Sequence, residues 1–290
     1  MGSMHFPFAR ANADRQVAGK PGVIVENRTL PYTDFDREAQ RLALELIGAG
    51  VNPGDCVAVH MYNGIELAVG YFGCWYAGAI AVPLNGQMQG PEIEYVLRHS
   101  DAVICLGCPK LCKEIEGIRP RLPIIWQCRF GWDSQELRPG RIARMALPTL
   151  VPDRPVPILY TSGTTARPKG VVHTHSSLHS CARCCDMRED DVVVIFTSMA
   201  HSAAFMMLIA SVAAGATVVT VPEFEADWRR CRCPDPASRV QRGAEIAAFV
   251  ATTGRSFRPR CAFTGTDRKS GRRDPRDQKK RRTAAPLNLR

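Results

Sequence analysis

The strongest constraint on this chain is an alternation. Short apolar, β-branched runs take turns with longer segments of helical period along most of its length. Val57–His60, Ile80–Val82, Ala102–Leu106, Ile124–Trp126, Val156–Tyr160, Val192–Phe196 and Thr217–Val221 read as strands. Ile65–Ala77, Glu92–His99, Lys110–Glu116, a segment from Ser176 and Ala203–Ala214 read as the helices between them. Runs that are apolar throughout suit strands covered on both faces, and an intervening helix brings the next strand back parallel to the last. The predicted fold class is therefore α/β: a doubly wound, mostly parallel sheet with flanking helices, ending near Val221. Ahead of it, Val23–Glu26 and Thr29–Tyr32 read as a hairpin around Asn27-Arg28. Phe35, Ala39, Leu42 and Leu46 then share one helix face that stops near Gly48–Gly50, and Thr33-x-x-Asp36 reads as that helix's capping box. Arg138–Pro155 has little periodicity and reads as a connector.

Two uncharged stretches, Leu67–Gly90 and Ala203–Val221, are long enough to raise the question of a membrane span. Pro83 and Asn85 interrupt the first, and Gly215 divides the second from a β-branched run. Each reads as a buried helix, a turn and a buried strand, so no membrane span is expected. The start of the chain, MGSMHFPFARANADR, is polar and broken by proline, which predicts no secretory leader. The chain holds 12 cysteines. Cys105-x-x-Cys108 with Cys112 falls at a strand end, and Cys181-x-x-Cys184-Cys185 falls on a helix near His173, His175 and His179. Zinc knuckles need paired ligand sets at fixed spacing, so these read as reduced thiols of a cytoplasmic protein, and no metal site is assigned.

The stretch Ile158–His175, ILYTSGTTARPKGVVHTH, carries the chemistry. Thr161, Ser162, Thr164 and Thr165 crowd around Gly163, and Pro168-Lys169-Gly170 follows. Glycine and proline break strands, so this reads as a loop between two short strands, with Gly170 allowing a sharp exit into Val171–Val172. Adjacent hydroxyls, loop amides and a lysine form a donor set for a polyphosphate. It is not the Walker A loop. Counting from Gly163, Pro168 stands at the second glycine position and Gly170 follows the lysine where Ser or Thr is required.

The stretch resembles instead the phosphate loop of the adenylate-forming superfamily, whose members include acyl-CoA synthetases. Thr161, Ser162, Gly163, Thr164, Thr165, Pro168, Lys169 and Gly170 match that pattern, and Ala166 stands where the family has glycine. Leu30–Asn85 is similar to the family's N-terminal sheet-and-helix unit, and FTSMAHSAAF resembles its next motif, with His201 in the histidine position and Ser198-Met199-Ala200 departing from the usual Pro-Leu-Phe/Tyr. The resemblance implies ATP, Mg2+ and coenzyme A as cofactors. It also implies a carboxylic acid as substrate and an acid–thiol ligase reaction through an acyl-adenylate. Thr161, Ser162, Gly163, Thr164, Thr165 and Gly170 would hold the phosphates. Lys169, with Thr165, would act on the departing pyrophosphate, and His201 would shape the carboxylate site. Arg167 is expected to face solvent.

From Trp228 the composition changes. The chain's formal net charge is +10, and this last stretch holds all of the excess. Residues 1–227 are expected to form the N-terminal portion of an AMP-binding domain, and 228–290 a disordered Arg/Lys-rich tail. The family's later motifs are absent, so weak or no activity is expected of this chain alone. The alternative is a non-enzymatic scaffold whose basic tail binds nucleic acid. That tail has no interleaved aromatics and no base-reading motif, so nucleic acid is not the expected partner. An uncovered sheet edge, with Ala216–Val221 as the sticky segment, predicts self-association.

Overall fold

The computed structural model describes residues 18–118, 122–128, 131–133, 146–161 and 167–222. The hydroxyl-loop residues Ser162, Gly163, Thr164, Thr165 and Ala166 lie outside the described residues, as do the first part of the expected connector and the whole basic tail.

The chain opens with strands β1 (Pro21–Val25) and β2 (Arg28–Pro31), paired antiparallel as predicted. Val25 pairs with Arg28, so the turn is Glu26-Asn27, one residue earlier than expected, and Glu26 takes a left-handed φ of 53°. Helix α1 (Tyr32–Gly48) follows. The expected capping box does not form. The helix starts at Tyr32 with Pro31 in the cap position, and Asp36 turns inward. Its carboxylate accepts hydrogen bonds from the Tyr76 hydroxyl and, at 2.6 Å, from Gln40 Nε2. A tertiary partner has taken the side chain that local spacing assigned to the helix end.

The predicted alternation then appears in order. It comprises β3 (Cys56–His60), α2 (Ile65–Tyr76), β4 (Ile80–Pro83), α3 (Gly90–His99), β5 (Ile104–Gly107), α4 (Pro109–Ile118) and β6 (Ile124–Cys128). β7 (Gly131–Asp133), β8 (Pro155–Thr161), β9 (Lys169–Thr174), α5 (His175–Cys184), β10 (Val192–Ile195), α6 (Ser202–Ala214) and β11 (Thr217–Thr220) complete it. β7 was not predicted, because three residues carry no readable period.

The strands form two sheets instead of one. A seven-stranded sheet has the order β7-β6-β5-β3-β4-β8-β9, with a parallel centre and antiparallel strands at both edges. A four-stranded sheet has the order β10-β11-β1-β2. It joins the two ends of the described chain, because β11 runs parallel to β1 with Val23 opposite Val218. A run of β-branched residues announces a strand but not its partner, and the single-sheet expectation failed at that point. β11 also lies between two neighbours and is buried throughout, so Ala216–Val221 is not an edge. The apolar edges are elsewhere: Val171 and Val172 on β9 and Val194 on β10 are exposed.

The larger sheet is doubly wound. Val57, Val59, Ala81, Ile104 and Leu106 pack into one core with α1 and α2, while Ala58, Val82 and Cys105 alternate into a second core with Ile93, Val96, Leu97 and Ile115 of α3 and α4. The order β5-β3-β4 marks where the connections change direction, and ligands of such sheets bind beyond the carboxyl ends of the strands there. α2 is buried on every side, which explains why no charge follows Glu66 in its first turn. Its Gly73 permits close approach to α1, since a Cβ there would lie 2.7 Å from Leu42 Cδ2. Among the described residues no helix is long and apolar enough to cross a membrane.

Candidate functional site

The predicted loop sits at the mouth of the β8–β9 hairpin. The pairing runs Ile158 to Val172, Leu159 to Val171, Tyr160 to Gly170 and Thr161 to Lys169. Residues directly opposite on antiparallel strands present their side chains on the same face, with Cβ atoms about 4.5–5.5 Å apart. The Thr161 and Lys169 side chains therefore leave the hairpin from neighbouring positions on one face, and both residues are exposed. Among the described residues Lys169 has no ion-pair partner, which leaves its charge available to an incoming anion.

Gly170 plays a different part from the one expected. It belongs to the strand and lacks the left-handed φ found at Gly50, Gly54, Gly78 and Gly215. Its hydrogen is required by packing: a Cβ would lie 2.8 Å from Ile158 Cγ2 and 3.2 Å from Tyr160 Cζ. Gly170→Ala is expected to push β9 away from β8 and cost about 1–3 kcal/mol, the usual range for overpacking. Urea denaturation of the two proteins measures it.

His201 occupies the cap position of α6, but its ring makes no capping hydrogen bond. Its Nε2 lies 3.0 Å from Asn85 Nδ2. With the amide as donor, the ring nitrogen is the acceptor. The segment leading to His201 is tied down by Asn63. Asn63 Nδ2 donates to Thr197 O at 2.8 Å, and Met199 N donates to Asn63 Oδ1 at 2.8 Å. Tyr71 adds a hydrogen bond from its hydroxyl to Met199 O at 3.2 Å. Met199, at the departure from the family's motif, is fully buried and anchors the segment by its side chain. Asn63 follows β3 and Asn85 follows β4, so both belong to the carboxyl ends of strands beside the change of direction.

The two asparagines were missed in the sequence. Asn63-Gly64 and Asn85-Gly86 read only as turns, and nothing in their spacing points to residues 197–201. The structure thus brings Thr161 to Lys169 and His201 to Asn85. Among the described residues no hydrogen bond joins these two pairs. They hang on neighbouring strands, β8 and β4, bridged in parallel at Ala81 and Pro157. Cys105 and Cys108 are buried, and Cys181, Cys184 and Cys185 are exposed free thiols. Among the described residues no cluster of three or more His, Cys, Asp or Glu is arranged to hold a metal ion.

The family model described as AMP-binding enzyme matches residues 9–233. The chain belongs to this family. The long-chain-fatty-acid–CoA ligase FadD13 of Mycobacterium tuberculosis is 34% identical over 209 residues, a match covering 68% of this chain and 41% of that protein. The N-terminal domain of FACL13 from Mycobacterium tuberculosis, solved with an inhibitor, superposes with a TM-score of 0.65 at 29% identity, covering 76% of this chain and 57% of that one. The anthranilate CoA ligase AuaEII, solved with anthranoyl-AMP, superposes with a TM-score of 0.66 at 25% identity, covering 75% of this chain and 44% of that one. The chain thus matches less than half the length of that curated relative. Thr161, Lys169, His201 and both asparagines lie within the matched region.

Proposed function

We propose that this chain carries the phosphate-holding part of a carboxylate-activating site. In the full reaction a carboxylate attacks the α-phosphorus of ATP, acyl-adenylate and pyrophosphate form, and the thiol of coenzyme A then displaces AMP. Residues 1–227 would supply the AMP-binding portion, with 228–290 as a separate basic tail. The observation that carries this reading is the pairing of Thr161 with Lys169 at the exposed mouth of the hairpin, in a chain of the AMP-binding enzyme family.

The donor set fits a polyphosphate. The barrier to the first step is one of charge, since an anion approaches a polyanion and the leaving pyrophosphate gains charge on its oxygens. Lys169 would hold a positive charge against those oxygens, and Thr161 would donate a hydrogen bond beside it. Ser162, Gly163, Thr164 and Thr165, by the motif they complete, would add hydroxyl and amide donors, with Thr165 beside Lys169 at the leaving group. Mg2+, when bound with ATP, neutralises phosphate charge. His201, held by Asn85, would line the approach of the carboxylate. The exposed free thiols Cys181, Cys184 and Cys185 support a reducing, cytoplasmic setting. The exposed valines of β9 and β10 support self-association through those edges.

The test is calorimetry with Mg·ATP and with pyrophosphate, followed by a pyrophosphate-release assay over fatty and aromatic carboxylates. Wild type is expected to bind pyrophosphate. Lys169→Ala is expected to weaken that binding by about 1–3 kcal/mol, roughly five- to 150-fold. Equal affinity of the two proteins removes Lys169 from the site, and no binding by wild type removes the reading.

A further inference from the structure

One helix holds the functional hairpin from the side. On α3, Tyr95 and His99 stand one turn apart with their rings stacked, centroids 5.3 Å apart. His99 Nδ1 lies 2.7 Å from the Tyr160 hydroxyl, and the two rings meet edge-on at 5.7 Å. Tyr160 directly precedes Thr161. On the other limb, the Arg167 guanidinium lies over the Tyr95 ring, 6.0 Å from its centroid. Arg167 comes two residues before Lys169 and, although exposed as expected, is not simply solvated. Both rims of the hairpin mouth therefore rest on the same pair of stacked rings.

The placement matters because among the described residues β9 is an edge strand, paired on one side only, and Thr161–Lys169 is its terminal pair. End pairs at sheet edges open most readily. A hydrogen bond on one limb and a cation–π contact on the other oppose that opening. Burial also pushes the Tyr160 phenol up to about 12, so its hydroxyl keeps its proton, and with His99 Nδ1 in its unprotonated form the hydroxyl is the donor.

We propose that Tyr95 and His99 are positioning residues for Lys169: the α3 ring pair clasps Tyr160 and Arg167 and so keeps the Lys169 ammonium beside the Thr161 hydroxyl. This rests on the phosphate-holding role given to Lys169 above. Two readouts separate the clasp from that role. The first needs no nucleotide. Trypsin cuts the Lys169–Gly170 bond only when the pair opens, whereas the Arg167–Pro168 bond resists it. The appearance of the fragment beginning at Gly170 is followed by mass spectrometry in the intact chain under native conditions. His99→Phe keeps the stacking but removes the acceptor, Tyr160→Phe removes the donor, and Tyr95→Leu removes the face under Arg167. Each is expected to speed the cut about five-fold, the effect of one lost hydrogen bond or cation–π contact. His99→Asn, which places an acceptor oxygen near the Nδ1 position, is expected to cut at close to the wild-type rate. Circular dichroism melting serves as the control that global unfolding is unchanged.

The second readout is calorimetry with pyrophosphate, where the fast-cutting variants are expected to bind several-fold more weakly. Unchanged cutting in all three variants overturns the clasp. So does faster cutting with unchanged pyrophosphate affinity, and so does a slow-cutting His99→Phe beside a fast-cutting His99→Asn. If wild type binds no pyrophosphate, the phosphate role falls, and the proteolysis arm alone then upholds or overturns the clasp.

Discussion

Trp75→Ala is expected to cost about 3–5 kcal/mol, the range for truncating a buried aromatic, out of a total of about 5–15 kcal/mol for a domain. Trp75 is fully buried on α2 and reaches α5, α6 and β8. Its ring lies 4.8 Å from Phe72, 6.0 Å from Phe205 of α6 and 6.2 Å from His175 of α5. Its indole N–H donates to Val156 O on β8 at 3.1 Å. The alanine variant therefore leaves a cavity among three helices and removes a hydrogen bond at the base of the strand that leads to Thr161. Trp75→Phe keeps most of the volume and loses the N–H, so it is expected to lose about 1–3 kcal/mol. Urea midpoints of the three proteins give both numbers. A loss below about 1 kcal/mol for the alanine variant would mean that α2 and β8 are held together by other contacts.

The neighbouring histidine predicts how stability depends on pH. His175 is almost wholly buried at the start of α5, with its ring edge-on to Trp75. Burial pushes its imidazole down to about 4. In the unfolded chain the group protonates near its ordinary value of about 6.5. Between these values the unfolded state binds the extra proton and the native state does not, so stability falls as pH falls. The loss begins below about pH 6.5, is complete near about pH 4 and amounts to about 3 kcal/mol. Above about pH 6.5 the residue contributes no slope. Urea denaturation at steps across this window is expected to show the decline in wild type and a smaller one in His175→Gln, since carboxylate protonation at the acid end affects both proteins alike. Parallel curves for the two proteins would show that the imidazole charges freely in the native state.

Much of the architecture was legible in the sequence because the signals involved are local. Phe35, Ala39, Leu42 and Leu46 recur at helical spacing, and the structure buries all of them on α1. The runs Val57–His60 and Thr217–Val221 are uncharged and rich in valine with no polar alternation, which marks a strand covered on both faces wherever it lies in the sheet. The hydroxyl loop was readable for the same reason. Threonine, serine, glycine, proline and lysine crowded between two apolar runs cannot extend a strand, and β8 and β9 close on either side of it.

Partnership over long distances was settled only in three dimensions. Nothing near Thr217–Thr220 states that it will pair with Val23–Val25, and that pairing turned one expected sheet into two. The same pairing carried Ala216–Val221 from a presumed edge into the centre. Asp36 has the spacing of a helix cap and the surroundings of a core group, and the Tyr76 hydroxyl decided between them. Gly170 reads as a sharp exit from the loop, but the Ile158 and Tyr160 side chains fill the space a Cβ would need. His201 could be singled out by its motif, but Asn85 and Asn63, which hold its ring and its segment, are more than a hundred residues away in the chain. The sequence by itself determined which segments become strands, helices and the hydroxyl loop, since backbone propensity and side-chain period are properties of neighbours. The tertiary structure decided which segments meet, since a hydrogen bond or a packed ring is selected by the chain's closure in space, and local pattern carries no record of it.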